Sequence, residues 1–557
     1  MNSWLRDKRR WEQIRDNVEY TYLRDILNEK YEEIKNQDIP PLRFSLFLES
    51  IKTGNRFDFE NLYFKRREML SVYTLMSLVY SENSEYIAKL EDVICAILEE
   101  YTWSLPAHLP ADKLNSPCHI DLFAAETGLY MAEIKYVLFD RLSPLVIERI
   151  TEELDRRIVS SFKNNSFIFE ETKSNWAAVC GGSVGATLLY ENLNVYMEVK
   201  SRIEACMSNY LESIDSEGVS SEGIGYLQYG LIFYLIYNDL LKNETFNRID
   251  NIKIDKLNKT AQFMADMNMS RDVAYSFADA GDRQVADVWF INYLKKNVND
   301  ELPAFYGTHV FSPKTSVAMR NFLMYEPIQN GTSINKLSYY KNFGCVVSRC
   351  DTYAIGIKAG HNQEEHNHND VGSFAVVANN KQLLCDLGAP LYTMQSLKIE
   401  NYDNVIERSS FGHNVPIING IPQKYGREYF GEITVDDKIV KIDLAKAYPV
   451  EINKLNRIFE LKENEIILSD EFDENVNWQE RFVTEIKPEI SDGKIKIECM
   501  TMFFDETKYT TEVEKVDTKS HSNTDRIIYT ITLTPKVNLS DASFKLVFDE
   551  GTRREEI

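Results

Sequence analysis

The chain holds eight histidines, and four of them fall between positions 361 and 413. Two belong to the run His366-Asn367-His368-Asn369-Asp370. Alternate residues of an extended strand point to one side, so His366 and His368 can bring two imidazoles to one place. Asp386, in Leu384-Cys385-Asp386-Leu387-Gly388, and His413, in Phe411-Gly412-His413-Asn414, follow them. Two imidazoles and a carboxylate suit zinc or a similar divalent ion, and one histidine of the first pair is then left for proton transfer. The competing readings are a polar loop with scattered histidines, since His-x-His alone is common, and a cupin. A cupin needs a glutamate shortly after the pair, which is missing, and leaves the helical region unexplained.

The elements around these residues support their convergence. Phe374–Ala378 and Lys381–Asp386 read as a hairpin across Asn379-Asn380, which returns Asp386 toward the histidine pair. From about residue 300 onward short β-branched runs dominate, among them Tyr353–Lys358, Arg457–Leu461, Glu465–Ser469 and Ile527–Thr534, with turns such as Asn419-Gly420. That spacing indicates an antiparallel sandwich. The first three hundred residues are helical in pattern. Ile87, Leu90, Ile94, Ile97 and Leu98 form one apolar stripe; Val146, Ile150, Leu154 and Ile158 form another. Further helices are expected over Ser183–Ile214, Tyr226–Leu241 and Leu257–Met269. Helices joined by polar loops suggest antiparallel pairs wrapped into a toroid or bundle.

Two segments of the helical part carry polar groups of interest. Ser174-Asn175-Trp176 precedes Gly181-Gly182-Ser183, read as a turn before a helix. Glu222-Gly-Ile-Gly-Tyr226-Leu-Gln-Tyr229 is a glycine-rich loop entering an aromatic helix. Taken singly, Asn175 reads as a turn or cap and Tyr226 as packing.

Taken together, these segments resemble the heparinase II/III family of polysaccharide lyases. The likeness covers most of the chain and is strongest from His366 through Asp386 to Arg408 and His413-Asn414, with Leu455-Asn-Arg457 and Leu468-Ser-Asp470 resembling later strands. It implies a multidomain α + β architecture: an N-terminal (α/α) toroid over residues 1–315, then a C-terminal antiparallel β-sandwich over 316–557. By position it implies His366 as the catalytic histidine, Tyr226 as the catalytic tyrosine and Asn175 as the group facing a uronate carboxylate. His368, Asp386 and His413 correspond to the metal ligands. Some relatives carry a histidine directly after the asparagine or the tyrosine; here Trp176 and Leu227 stand there.

The implied chemistry is β-elimination: removal of the C5 proton of a uronic acid and expulsion of the C4 oxygen, leaving a 4,5-unsaturated uronate. An amide such as Asn175 favours the enolate-like state, and Tyr226 and His366 divide the proton transfers. The metal ion, zinc by ligand type, would pin the loop that carries His366. Trp103 is a candidate for stacking on a sugar and His108 for binding its acidic group. Trp176, Glu222 and Arg408 complete the expected substrate-binding set, with Lys424 and Arg427 beside Arg408 as a basic patch.

Composition narrows the partners. A formal net charge of −23 argues against general nucleic-acid binding and against adhesion to an anionic membrane. Among the uronate glycans that the resemblance implies, glycosaminoglycan fragments included, it favours short pieces over long, highly sulfated chains. No apolar signal core follows the charged start and no long apolar run occurs, the expectation for a cytoplasmic protein. The eight cysteines form no C-x-x-C and are expected to be reduced. The alternatives are an (α/α) glycoside hydrolase using Glu222 with Asp279 or Asp282, or a non-catalytic carbohydrate-binding protein. Within the lyases, alginate and exopolysaccharide oligosaccharides remain open substrates.

Overall fold

The computed structural model describes residues 3–110, 116–245, 248–271, 273–281, 283, 285–302, 308–326, 336–393, 395–396, 398–473 and 476–554. Its helical half contains α1 (Phe57–Val79), α2 (Ser84–Leu98), α3 (Leu122–Val137), α4 (Pro144–Leu154), α5 (Asn175–Glu191), α6 (Leu193–Glu212), α7 (Ile224–Glu244), α8 (Asp255–Asp266) and α9 (Thr315–Leu323). α2, α4 and α6 bury one stripe each, as their spacing predicts. α3, α5 and α7 are buried almost all round through their middles. These last form the inner layer, with α5 packed between α3 and α7. The result is the toroid expected.

Gly181 and Gly182 do not form a turn. They lie inside α5, where a Cβ on Gly182 would sit 2.7 Å from the Phe233 carbonyl oxygen of α7, and one on Gly181 2.5 Å from Cβ of Cys206 in α6. The glycines are there for close approach of helices, a use that their local sequence does not distinguish from a turn. α9 also crosses the expected boundary at 315. It packs on α1 and α3, and the first strand of the sandwich begins only at Leu337, because the apolar face of α9 belongs to the toroid core.

The β region opens with an antiparallel sheet of β1 (Leu337–Tyr340), β2 (Cys345–Arg349), β3 (Ala354–Lys358), β4 (Phe374–Ala378) and β5 (Lys381–Leu384), ordered β1-β2-β3-β4-β5. Asn379 and Asn380 both adopt left-handed backbone, at φ 48° and 56°, and Ala378 pairs with Lys381 across them. This is the tight hairpin that the Asn-Asn pair predicts. A nine-stranded and a four-stranded antiparallel sheet complete the sandwich. Phe374 of β4 meets Phe459 at 5.1 Å and Phe482 at 6.5 Å, one ring from each of the other sheets, so the three share a core.

An ion cluster lies inside that core. Arg457 donates to Asp470 at 2.9 Å and to Glu480 at 2.8 Å, all three fully buried, and to the Asn414 and Gly372 carbonyls. Burial and Asp470 push the Glu480 carboxyl well up, against the pull of Arg457. The cluster ties the sandwich to the segment next to His413. Arg457→Ala would strand Asp470 without a cation, and should destabilise the β region by about 3–5 kcal/mol. Thermal and denaturant unfolding of the purified variant measure this.

Candidate active site and metal centre

The site forms where loops of the toroid meet loops of the sandwich. Asn175 begins α5, where Ser174 caps the helix by accepting from Trp176 N–H. The Glu222 carboxylate lies against this helix start, accepting from the Asn175 backbone N–H at 3.2 Å and from its Nδ2 at 3.3 Å. Unpaired N–H groups at a helix start favour a negative charge. Both side chains are buried, and Asn175 Oδ1 has no hydrogen-bond partner. Burial raises the Glu222 carboxyl above its usual range, with His366 and Asn175 pulling the other way.

Tyr226, in the first turn of α7, stacks on His366 with ring centroids 4.2 Å apart and planes 17° apart. His366 itself has left-handed backbone, φ 56°, which costs a non-glycine residue energy and is typical of functional turns. Its Nδ1 lies 2.8 Å from Asp279 Oδ2. An ionised carboxylate only accepts, so Nδ1 carries the proton and Nε2 keeps a free lone pair.

Asp279 is the centre of the constellation. Besides His366 it accepts from His368 Nε2 at 3.1 Å, Tyr392 hydroxyl at 2.7 Å and Arg408 Nη2 at 3.0 Å. Its side chain has no exposure. Burial alone would raise the carboxyl, but the bonds from His366 and His368 and the charge of Arg408 hold it far below the usual range. Tyr392 donates to Asp279, so at 3.1 Å its oxygen accepts from Tyr226. Tyr226 therefore stays a phenol, and burial raises it further above 10 despite the partial relief from Tyr392.

Three further groups face one another behind this ring. His368, Asp386 and His413, all buried, each offer a ligand atom within 4.8 Å of the others. His368 gives its Nε2–H to Asp279, and His413 gives its Nε2–H to the Glu407 carbonyl at 2.9 Å. In both rings Nδ1 is the nitrogen left over, and it makes no hydrogen bond. Asp386 Oδ2 lies 3.4 Å from His413 Nδ1, and Asp370 stands nearby at 3.7 Å. Burial pulls the His413 imidazole down, yet Asp386 and Asp370 push it up to about 9, which marks a demand for positive charge here. Two outward-fixed imidazoles and one carboxylate fit a divalent ion, with the outer hydrogen bonds setting each ring.

Other expected site residues are placed differently. Trp103 is buried in the toroid core, its Nε1 on the Ile97 carbonyl and Arg157 over its ring, so no face is open to a sugar. Arg408 is buried too, committed to Asp279, to the Asn367 carbonyl and to the Tyr402 ring. It compensates a carboxylate instead of reaching for substrate. Lys424 pairs with Asp403, and Arg427 Nε approaches His361 Nε2 at 3.4 Å. His108 does come together with Trp176, which follows Asn175 in the chain: their rings meet at 5.1 Å, and His108 Nδ1 is held by Asp121 at 2.8 Å. Asp282 lies outside the described residues.

Sequence reading placed Asp279 in a polar loop and gave it a part only in the hydrolase alternative; it missed its place at the centre of the constellation and missed Tyr392 altogether. Asp279 is 87 residues from His366, and no periodicity links them. Ala278, with φ 56°, is the local mark of an unusual turn.

No family model matches the sequence, and no curated protein matches it. The fold is nonetheless that of known polysaccharide lyases. A crystal structure of heparinase III superposes with a TM-score of 0.60 at 12% identity, over 98% of this chain and 92% of its own. A heparan sulfate lyase from Pedobacter heparinus gives 0.55 at 11% identity, over 98% and 93%. The Streptomyces coelicolor A3 chondroitin AC lyase, solved with chondroitin sulphate, gives 0.58 at 11% identity, over 97% and 82%.

His413→Ala should empty the metal site and lower the thermal unfolding midpoint, whereas His366→Ala should keep the metal. Elemental analysis and calorimetry of the two variants report on this; metal loss in His366→Ala would reverse the roles of the two histidines. Asp279→Asn should cost about 10–100-fold in metal affinity or activity, the usual effect of removing an outer-shell carboxylate, measured by metal titration and initial rates.

Proposed function

We propose that the protein is a polysaccharide lyase that cleaves uronate-containing oligosaccharides by β-elimination. The observation that carries this reading is the stack of Tyr226 on His366 beside the Asn175–Glu222 pair. A free imidazole lone pair, a phenol and a buried amide close together between helical and β regions support it, since ligand sites are common at such interfaces.

The roles follow from the protonation states. The uronate carboxyl group sits at the start of α5, meeting Asn175 and the buried Glu222. Glu222, whose carboxyl burial raises, shares its own proton with the uronate, which offsets the uronate charge and makes the C5 hydrogen acidic. His366 Nε2 takes that proton, and Asp279 supports the imidazolium that forms. Tyr226, kept as a phenol, gives its proton to the departing C4 oxygen. Tyr392 and Asp279 connect the group that loses a proton with the group that gains one. His108 and Trp176 bound the sugar on the toroid side.

His368, Asp386 and His413 would hold one zinc ion, which supplies fixed positive charge behind the loop of His366. No proton transfer is assigned to it. The hydrolase alternative is weakened by Asp279: with four donors and its acidity so increased, it is neither a general acid nor open to water.

A panel of uronate polysaccharides and oligosaccharides, followed by absorbance of the new C4=C5 double bond, tests the proposal. Products with saturated ends and a water-derived oxygen, seen by mass spectrometry, would refute it. On a confirmed substrate Tyr226→Phe should abolish turnover while sparing most binding. Asn175→Ala should cost roughly two to three orders of magnitude in rate, as loss of an oxyanion donor does.

A further inference from the structure

His366 rides on a loop whose two ends meet at Lys358, the last residue of β3. The Lys358 backbone N–H donates to the Ser373 carbonyl at 3.0 Å, and its carbonyl accepts from Gly372 N–H at 2.9 Å. Residues 359–371 therefore leave and return at one point, with His366 near the middle of the excursion.

The two limbs of the loop are held differently. The returning limb is fastened to the segment after Arg408. Asn369 N–H donates to the Arg408 carbonyl at 2.9 Å, and Ser410 Oγ donates to the Asn369 carbonyl at 2.6 Å. The Gln423 amide matches both backbone groups of Val371, accepting at 2.9 Å and donating at 2.8 Å. On the outgoing limb, Gln363 and Glu365 are exposed, while Glu364 between them turns inward, its side chain 9% exposed. There its carboxylate meets the Lys358 ammonium at 2.6 Å.

The foot of the loop thus sends a side chain to the limb that leads into His366. Lys358 is buried, its Nζ also donating to the Ala359 carbonyl at 3.1 Å and lying 5.1 Å from the centre of the Phe343 ring. Burial works against the ammonium, but Glu364 and Asp370 more than offset it and raise the lysine above its ordinary value. Space is kept for the carboxylate. Gly360 has φ 78°, and a Cβ there would lie 2.5 Å from Glu364 Oε1, so any side chain at this position would collide with the pair.

A buried ion pair adds little stability compared with apolar packing of the same volume. What it supplies here is a fixed distance, a point charge on a long stem set against a carboxylate. His366 needs that constraint. It combines left-handed backbone at φ 56° with a ring stacked 4.2 Å from Tyr226 and Nδ1 on Asp279. Such a conformation persists only where the surroundings over-determine it. Asp279 holds the ring, and the lysine pair holds the chain two residues before it.

We propose that Lys358 and Glu364 are positioning residues for the reaction, a buried tether that fixes where His366 stands against Tyr226 and Asp279. For the role of His366 as base, the inference rests on the lyase reading.

The decisive variant is the full-length protein with Lys358→Met and Glu364→Gln together. Both charges give way to neutral groups of similar length, so no buried charge is stranded as it would be in either single variant. This double variant should keep the wild-type unfolding midpoint and metal content. In protein with isotope-labelled histidine, the Nδ1–H resonance of His366 is identified by its absence in His366→Ala. It should vanish, or exchange with water much faster, in the double variant as the ring leaves Asp279. On a confirmed uronate oligosaccharide kcat should fall by roughly 100-fold, the cost of a misplacement of about 1 Å, while KM stays within about threefold. A retained resonance or a wild-type kcat would overturn the proposal. So would a fall in kcat that comes with loss of metal or a lowered midpoint, the mark of a merely structural pair. The resonance is read without substrate. Saturated products would therefore end the lyase reading and leave the tether to stand or fall by that signal alone.

Discussion

The site depends on one carboxylate that crosses from the toroid to the sandwich. Asp279 belongs to a loop after α8, and among the described residues the side chains that donate to it belong to the β region: His366, His368, Tyr392 and Arg408. A bare carboxylate in this position would be prohibitively costly, since desolvation of an isolated ion exceeds any single contact. Four donors, one of them a guanidinium, make it tolerable. In exchange, this acceptor fixes a proton on each of two imidazoles, and so sets which nitrogen of His366 and which nitrogen of His368 is left open. His366, His368 and Tyr392 are held by the same two oxygens.

A second acid repeats the pattern along the seam. Asp266, at the end of α8, accepts from Tyr340 at 2.9 Å, Lys336 at 3.1 Å and Arg349 at 3.3 Å, all from the start of the β region. Acids on the helical face and donors on the β face thus key the two domains together. Such pairing adds specificity of docking more than net stability. The large negative charge of the chain does not oppose it, because the charges that matter here are buried and compensated locally.

What the sequence made legible was what local chemistry encodes. The asparagine pair at 379–380 demanded a tight turn, and the turn returned Asp386 to the histidines. Apolar stripes marked the outer helices because one face of each meets solvent. The inner helices lack a stripe, being buried all round, and α5 was misread at its glycines for that reason. Trp103 was read as lining the cleft and Arg408 as meeting substrate, yet both are buried; burial, which decides whether a ring or a guanidinium can meet a ligand, is a property of the whole fold. Asp279 was visible as an acid but not as a hub, since its partners come from 87 to 129 residues downstream.

The split of the hub between two domains also orders the birth of the site. During synthesis the toroid residues emerge first, and domains commonly fold as they appear. Asp279 and Asp266 then face water, hydrated and without their β-region donors, until the β region is made and folded. Docking must strip that water, and only the arrival of His366, His368, Tyr392 and Arg408 together repays the loss. The proton on His366 is therefore positioned no earlier than the final closure of the seam. Competence for chemistry is the last property the chain acquires, and a nascent or half-assembled molecule has no partial version of it.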